Sequence, residues 1–578
     1  MKNLLKYFKG YSLEAFSAPF FKILEAVFEL LVPFVVAAII DNGIPSGDKP
    51  YIFKMCGVLI LLGAVGLAST LAAQYFSAKG AVGFCCNLRQ ALFDHIESLS
   101  FTELDTLGAS SLITRLTSDI NTVQSGLNMT LRLMMRSPII VFGAMIMAFT
   151  IDFKAALIFV VTIPVLTVVV VGITFRCIPL YTRVQQKLEG VLLATKENLT
   201  GARVIRAFCK EPQEIERFGT RNDDLCREQK RVGRISAAMN PLTFVIINLA
   251  IIVLIWRGAL QVDGGILTQG LVIALYNYMS QILVELIKLA NLIISIPKSV
   301  ACAKRVSQVL ATESSMANGS DTNCNFDADY VVEYNSASLK YRGAAADSIE
   351  NITLALKSGE TLGVIGPTGC GKSSLISLLP RFYDCTDGEV KIFGKNVRDY
   401  DLDTLRELFG FVLQKNRLFR GTIRENMQFG APDASDEDII SALKTAQAWE
   451  FVEKLDDGLD HMIEQGSSNL SGGQAQRLCI ARALVRRPKI LIFDDSSSAL
   501  DYATDAKLRV ALSSLDYDPT VIIVSQRVST VMHCDRVIVL EDGRMEGLGT
   551  HAELLETCAE YREIYDSQIK SEEGGANA

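Results

Sequence analysis

A chain of 578 residues would make about four soluble domains at the usual ~150 residues each, provided water met it on every side. Its composition, 49% hydrophobic and 21% charged with a mean hydropathy of +0.27, excludes a disordered, collagenous or disulfide-scaffold protein. A net charge of -7 and a pI near 5.5 argue against a basic phosphate-binding surface, so no nucleic-acid partner is expected.

The opening residues, MKNLLKYFKGYSLEAF, are basic like a signal peptide, but Leu4, Leu5, Phe8 and Tyr11 are spaced for an amphipathic helix and no small-residue cleavage site follows. An interfacial helix leading into a membrane is predicted. Apolar stretches of ~20 residues then recur, over about 16–40, 55–80, 136–152, 155–177, 240–260 and 267–292, which predicts six spans in contact with a lipid bilayer. Two long polar connections, 83–135 and 178–238, carry most of the cations. Arg89, Arg115, Arg132 and Arg136 lie in or beside the first, and a run including Arg203, Arg206, Lys210 and Arg217 fills the second, whereas the short connections offer only Lys49 and Lys154. The positive-inside rule places both termini and both long connections in the cytoplasm. Helical periodicity in LRQALFDHIESLSF and LLATKENLTGARVIRAF predicts that the membrane helices continue past the lipid.

Charged residues inside the spans, Lys22, Glu25, Glu29, Glu285 and Lys288, each cost ~2.5 to 3.5 kcal/mol on insertion scales, so something must offset them. Ion pairing at helix contacts, snorkelling of Lys22 and the lining of a substrate cavity are the three readings. The polar stretch ATESSMANGSDTNCNFDAD from Ala311 reads as a linker without a core of its own. The expected division is a transmembrane domain over 1–300, a linker over 301–330 and an α/β domain over 331–578. The thirteen cysteines are odd in number and show no CxxC spacing, so they read as reduced thiols.

In the last domain a strand-like TLGVIG runs into Gly366, Pro367, Thr368, Gly369, Cys370, Gly371, Lys372 and Ser373, followed by Ser374 and an apolar helical pattern. This is GxxxxGK[ST] in its strand-loop-helix context, the P-loop of nucleotide-binding proteins. Its glycines let backbone N–H groups curl around phosphate oxygens, Lys372 reaches the β and γ phosphates, and the Ser373 hydroxyl ligates magnesium. ATP and Mg2+ are the expected ligands. Downstream, KILIFDD is a buried strand ending in Asp494, positioned to hold the magnesium.

Between these motifs stand Leu470, Ser471, Gly472, Gly473 and Gln474. With this LSGGQ the chain resembles the ATP-binding cassette (ABC) transporters, and its layout of six spans, two long connections and one cassette resembles an exporter half-transporter. The resemblance implies a polytopic α-helical membrane domain followed by an α/β P-loop cassette in the cytoplasm. It also implies that Tyr341 stacks on adenine, that Gln414 senses magnesium and the membrane domain, and that Ser498, Ala499, Leu500 and Asp501 form the D-loop. Short helices around 102–110 and 201–208 would carry cassette closure to the membrane. ATP would lie between the P-loop of one cassette and the LSGGQ of another, so a second half-transporter is required.

Two positions depart from the family pattern. Where the family places a glutamate that polarises the attacking water, this chain has Asp495, drawn back by one methylene; a misplacement of about 1 Å can cost on the order of 100-fold in rate. Where the family places a histidine, SQRVST has Gln526, which can hydrogen-bond a phosphate but cannot carry imidazolium charge. Together with an intact LSGGQ, these resemble the weak-site subunit of bacterial heterodimeric multidrug exporters, located in the cytoplasmic membrane and moving hydrophobic or amphipathic compounds. A lipid or peptide exporter and a largely non-hydrolysing, ATP-gated regulatory or channel subunit are the alternatives.

Overall fold

In a computed structural model of the chain, residues 2–496 and 500–576 are described and fall into two compact units. The first holds the residues up to Glu97 together with Ala109–Thr312; the second holds Ser98–Gly108 and the residues from Glu313 onward.

Among the described residues, six helices of the first unit are long and apolar enough to cross a membrane. The chain runs through α1 (Ser12–Ala38), α2 (Lys49–Glu97), the short α3 (Phe101–Leu107) that groups with the second unit, and then α4 (Ile120–Leu133) and α5 (Arg136–Ile151). It continues through α6 (Phe153–Thr200), the short α7 (Ala202–Ala207), α8 (Glu211–Ala237), α9 (Met239–Asp263) and α10 (Gln269–Leu310). The 49 residues of α2 span about 73 Å at 1.5 Å per residue, more than twice the ~30 Å hydrocarbon core, so this helix extends well beyond lipid. Asp152 makes the tight connection from α5 to α6, its side chain accepting from the Ala155 N–H at 2.7 Å as an N-cap.

The start of the chain differs from expectation. Lys2–Phe8 is a 3₁₀ helix, and the Phe8 ring lies 4.5 Å from that of Phe84 on α2, so part of its apolar face packs on protein instead of lipid. The linker expected over 301–330 is helical as far as Leu310, because the apolar periodicity of α10 persists through buried Cys302, Ala303, Val306 and Val309.

Ion pairing accounts for the charges inside the spans. Arg136, read in the sequence as one of the cations in or beside the first long connection, is buried at the start of α5 and is the hub of the cluster. Its guanidinium bonds Glu285 of α10, donates to Glu29 of α1 at 2.7 Å and lies 3.5 Å from Glu25. Lys22 donates to Glu25 at 2.5 Å, Lys288 to Glu285 at 2.8 Å, and the Ser137 hydroxyl to Glu285 at 2.8 Å. Three carboxylates thus meet three cations, which is how charges persist in such an interior. Phe159, Leu166, Leu254, Leu275 and Tyr278 belong to the apolar core of this unit.

The second unit has two main sheets. Strands β1 (Val332–Leu339), β2 (Ile349–Leu356), β4 (Asp387–Ile392) and β5 (Lys395–Asn396) form an antiparallel sheet in the order β2-β1-β4-β5. Strands β3 (Thr361–Ile365), β6 (Phe409–Val412), β9 (Ile490–Asp494), β10 (Thr520–Val524), β11 (Arg536–Glu541) and β12 (Arg544–Gly549) form the other, ordered β12-β11-β3-β10-β9-β6. All its pairings are parallel except the β11-β12 edge. A small ladder joins β7 (Gly421–Thr422) to β8 (Met462–Ile463). Every residue of β9 is buried, as expected for a central parallel strand covered on both faces.

Candidate nucleotide site

Parallel neighbours bring the loops at their carboxyl ends to one edge of the sheet, the usual ligand-binding edge of an open α/β fold. Val524 of β10 lies in register with Val364 of β3 on one side and Asp494 of β9 on the other. The loop after β3, Asp495 after β9, Gln526 after β10 and Gln414 after β6 therefore converge. They enclose a cavity of about 240 Å³ lined by Thr368, Gly369, Gly371, Lys372, Ser373, Ser374, Gln414, Asp494, Asp495 and Gln526, with Ser348 and Val524.

The glycine loop bends sharply into α11 (Lys372–Ser377). Gly371 has φ +96°, and a Cβ there would stand 2.3 Å from the Ser348 carbonyl oxygen, so both its conformation and its surroundings require glycine. Lys372 is buried, its ammonium donating to the Gly366 and Pro367 carbonyls at 2.8 and 2.6 Å, with the sulfur of buried Cys370 at 3.7 Å. The Ser373 hydroxyl donates to Asp494 Oδ1 at 3.1 Å, and Gln414 Nε2 stands 3.5 Å from Asp495 Oδ2. Asp495 has φ +46°, a left-handed conformation that aspartate tolerates better than most residues. Burial raises the Asp494 carboxyl above the usual range; the Ser373 bond opposes this, the Asp495 charge adds to it and the Lys372 charge opposes it. Such a site presents an ammonium and backbone N–H groups for anionic oxygens beside carboxylate and hydroxyl oxygens able to hold a hard cation.

Tyr341 lies at the margin of this cavity, its hydroxyl donating to Ser374 Oγ at 3.0 Å. Leu470, Ser471, Gly472, Gly473 and Gln474 do not line it. Ser471 instead caps α13 (Gly472–Leu484), the preceding α12 being Asp436–Thr445, and exchanges capping-box hydrogen bonds with Gln474. Of the D-loop, Ser498 and Ala499 lie outside the described residues, Leu500 is buried, and Asp501 accepts from the Thr504 N–H at 3.3 Å to cap the next helix. Ser348 and Val524 carry no local signal in the sequence, because only sheet packing brings them to the loop.

Residues 16–286 match the family described as ABC transporter transmembrane region, and residues 349–498 match the one described as ABC transporter. An uncharacterised ABC transporter ATP-binding protein of Mycobacterium tuberculosis is 35% identical over 556 residues, 95% of each chain. YgaD of Bacillus subtilis, a putative multidrug export ATP-binding/permease protein, is 30% identical over 98% of this chain and 99% of its own. Among solved structures, a bacterial Atm1-family ABC exporter with ATP bound has the same fold, with a TM-score of 0.79 at 21% identity over 96% of this chain and 98% of that one.

Proposed function

The chain belongs to the ABC transporter family as an exporter half-transporter, and from that membership we propose that it is the weak-site subunit of a heterodimeric, ATP-driven exporter of hydrophobic or amphipathic compounds. A half-transporter needs a second one beside it in the membrane. In this reading the partner is a different chain with glutamate and histidine where this one has Asp495 and Gln526, and both sit in a bacterial cytoplasmic membrane with their cassettes in the cytoplasm. The name of YgaD supports the multidrug class of cargo.

One observation carries the proposal: both departures from the family pattern line the cavity of this chain's own P-loop, whereas its intact LSGGQ lies outside that cavity. The signature is thus free to complete the partner's site, where hydrolysis is strong. At this chain's site, the loop N–H groups and Lys372 hold the β and γ phosphates, and Tyr341 stacks on the base. Gln526 hydrogen-bonds the γ-phosphate without lending charge, and Asp495 orients water from one methylene too far back. Ser373, Asp494 and Gln414 are the oxygen donors for magnesium, whose charge would favour the ionised Asp494 carboxylate against the burial that raises its pKa. When bound, magnesium neutralises charge on the phosphates.

The test is to purify this chain alone and with the half-transporter encoded beside it. Alone it should hydrolyse little ATP, and the pair should be active. A homodimer turning over on the order of 1 to 10 ATP per second would refute the weak-site assignment.

A further inference from the structure

Gln526 lines the P-loop cavity, and its exposed side chain makes no hydrogen bond among the described residues, so the backbone that carries it sets its aim. That backbone runs from β10 into α15 (Val528–Val531), the preceding α14 being Tyr502–Ser513. Locally, the Ser525 N–H donates to the Val364 carbonyl and the Arg527 N–H to the Ser525 hydroxyl, both at 3.0 Å. The next two polar atoms of the segment go to one distant side chain. Gln568 of α16 (Ala559–Ala576) donates from Nε2 to the Gln526 carbonyl at 2.7 Å and accepts at Oε1 from the Val528 N–H at 2.8 Å. Those atoms belong to the two peptide groups on either side of the Arg527 Cα, so a single amide holds both planes. A primary amide supplies the donor and the acceptor together, whereas a carboxylate supplies acceptors alone.

The rest of α16 delivers this amide firmly. Tyr561, Tyr565 and Gln568 recur at i, i+4 and i+7, on one face of the helix. Tyr561 is fully buried in a cluster with Ile365, Val528, Val531 and Leu554, its hydroxyl 2.7 Å from His551 Nδ1, and Tyr565 packs on the same cluster. Arg509 of α14 grips the following residue, donating to the Ser529 carbonyl at 2.8 Å while pairing with Asp505 at 3.1 Å. That contact secures α15 and leaves the peptide groups around Arg527 to Gln568. We propose that Gln568 is a positioning residue for the nucleotide, its amide setting the backbone of 526–528 so that the Gln526 side chain meets the γ-phosphate. This rests on the reading that ATP binds at this P-loop with its γ-phosphate at Gln526. Gln568 does not line the cavity and acts only through the loop. Without the bridge both peptide groups turn, and a shift of about 1 Å at the Gln526 amide carries its hydrogen bond out of range.

The experiment measures the affinity of the full chain in lipid nanodiscs for the magnesium complexes of AMP-PNP, which carries a γ-phosphate, and of ADP, which does not. Gln568→Leu, close in size but without the amide, should weaken AMP-PNP about tenfold, the worth of one hydrogen bond to a charged group, and leave ADP unchanged. Gln568→Glu keeps the acceptor for Val528 and loses the donor for Gln526; it should show the same selective loss at an unaltered melting midpoint, which decides the matter should Gln568→Leu fail to fold. Gln526→Ala should match them, and adding Gln568→Leu to it should cost nothing further, since no side chain is left to aim. A merely structural Gln568 would weaken both nucleotides alike and add its loss to that of Gln526→Ala. The proposal is overturned if AMP-PNP and ADP weaken equally, if both Gln568 variants bind AMP-PNP as the wild type does, or if the two losses add. Should Gln526→Ala itself leave AMP-PNP binding intact, the γ-phosphate reading falls and the proposal with it.

Discussion

Replacing Arg136 by methionine is the sharpest test of the membrane unit. Arg136 is 7% exposed and its guanidinium meets three carboxylates, of which Glu285 is 2% exposed. Removing one partner of a buried pair generally costs about 3–5 kcal/mol, since the other charge stays behind without compensation. Here Glu25 keeps Lys22, Glu285 keeps Lys288 and Ser137, and Glu29, with a side chain 38% exposed, can turn to water. The lower end of that range, about 3 kcal/mol, is therefore expected. For a unit of this size that lowers the melting midpoint by roughly 5 to 10 °C, readable by thermal aggregation of the detergent-solubilised chain. The double variant Arg136→Met/Glu285→Gln restores charge balance, so it should cost about 1–2 kcal/mol less than the sum of its singles. Glu29→Gln should cost under about 1 kcal/mol, in line with a solvent-accessible pair. If Arg136→Met is no worse than Glu29→Gln, or the double variant is strictly additive, the cluster does not hold the three helices together and the argument fails.

Three further outcomes follow from the weak-site proposal. Asp495→Asn should reduce the ATPase of the assembled exporter only mildly, whereas loss of the partner's corresponding glutamate should nearly abolish it; equal damage would reverse the assignment of roles. Ser471→Arg should be severe for ATPase, because a bulky cation would obstruct the signature at the partner's site, while Ser471→Ala should cost about 1 kcal/mol of cassette stability from the lost cap of α13. Lys372→Ala should weaken nucleotide trapping at this site and lower drug efflux from inverted vesicles by more than the small direct loss of hydrolysis explains, since a slowly hydrolysed ATP bound here would bias closure; undiminished efflux with this site empty would refute that role.

Much of the nucleotide site is legible in the chain because its signals are contiguous. The glycine loop needs only a few consecutive residues with the right backbone freedom, and Asp494 announces itself at the end of an unbroken apolar strand. Six spans are legible for a similar reason, since length and hydropathy alone decide what a bilayer accepts. The first turn is less so: the spacing of Leu4, Leu5 and Phe8 marks an amphipathic segment, but Phe84, which shares that face, is remote in sequence.

The sequence by itself determined the elements and the chemistry each motif brings, because both are written in runs of a few to about twenty residues. Tertiary structure alone decided which of them meet. Arg136 reads as one more cation of a basic connection until packing sets it against Glu285, 149 residues away. Nothing local in the sequence singles out Asp105, to which Tyr383, 278 residues on, donates. Contacts at such separations depend on how whole helices and sheets stack, and no local propensity or periodicity encodes that choice of partner.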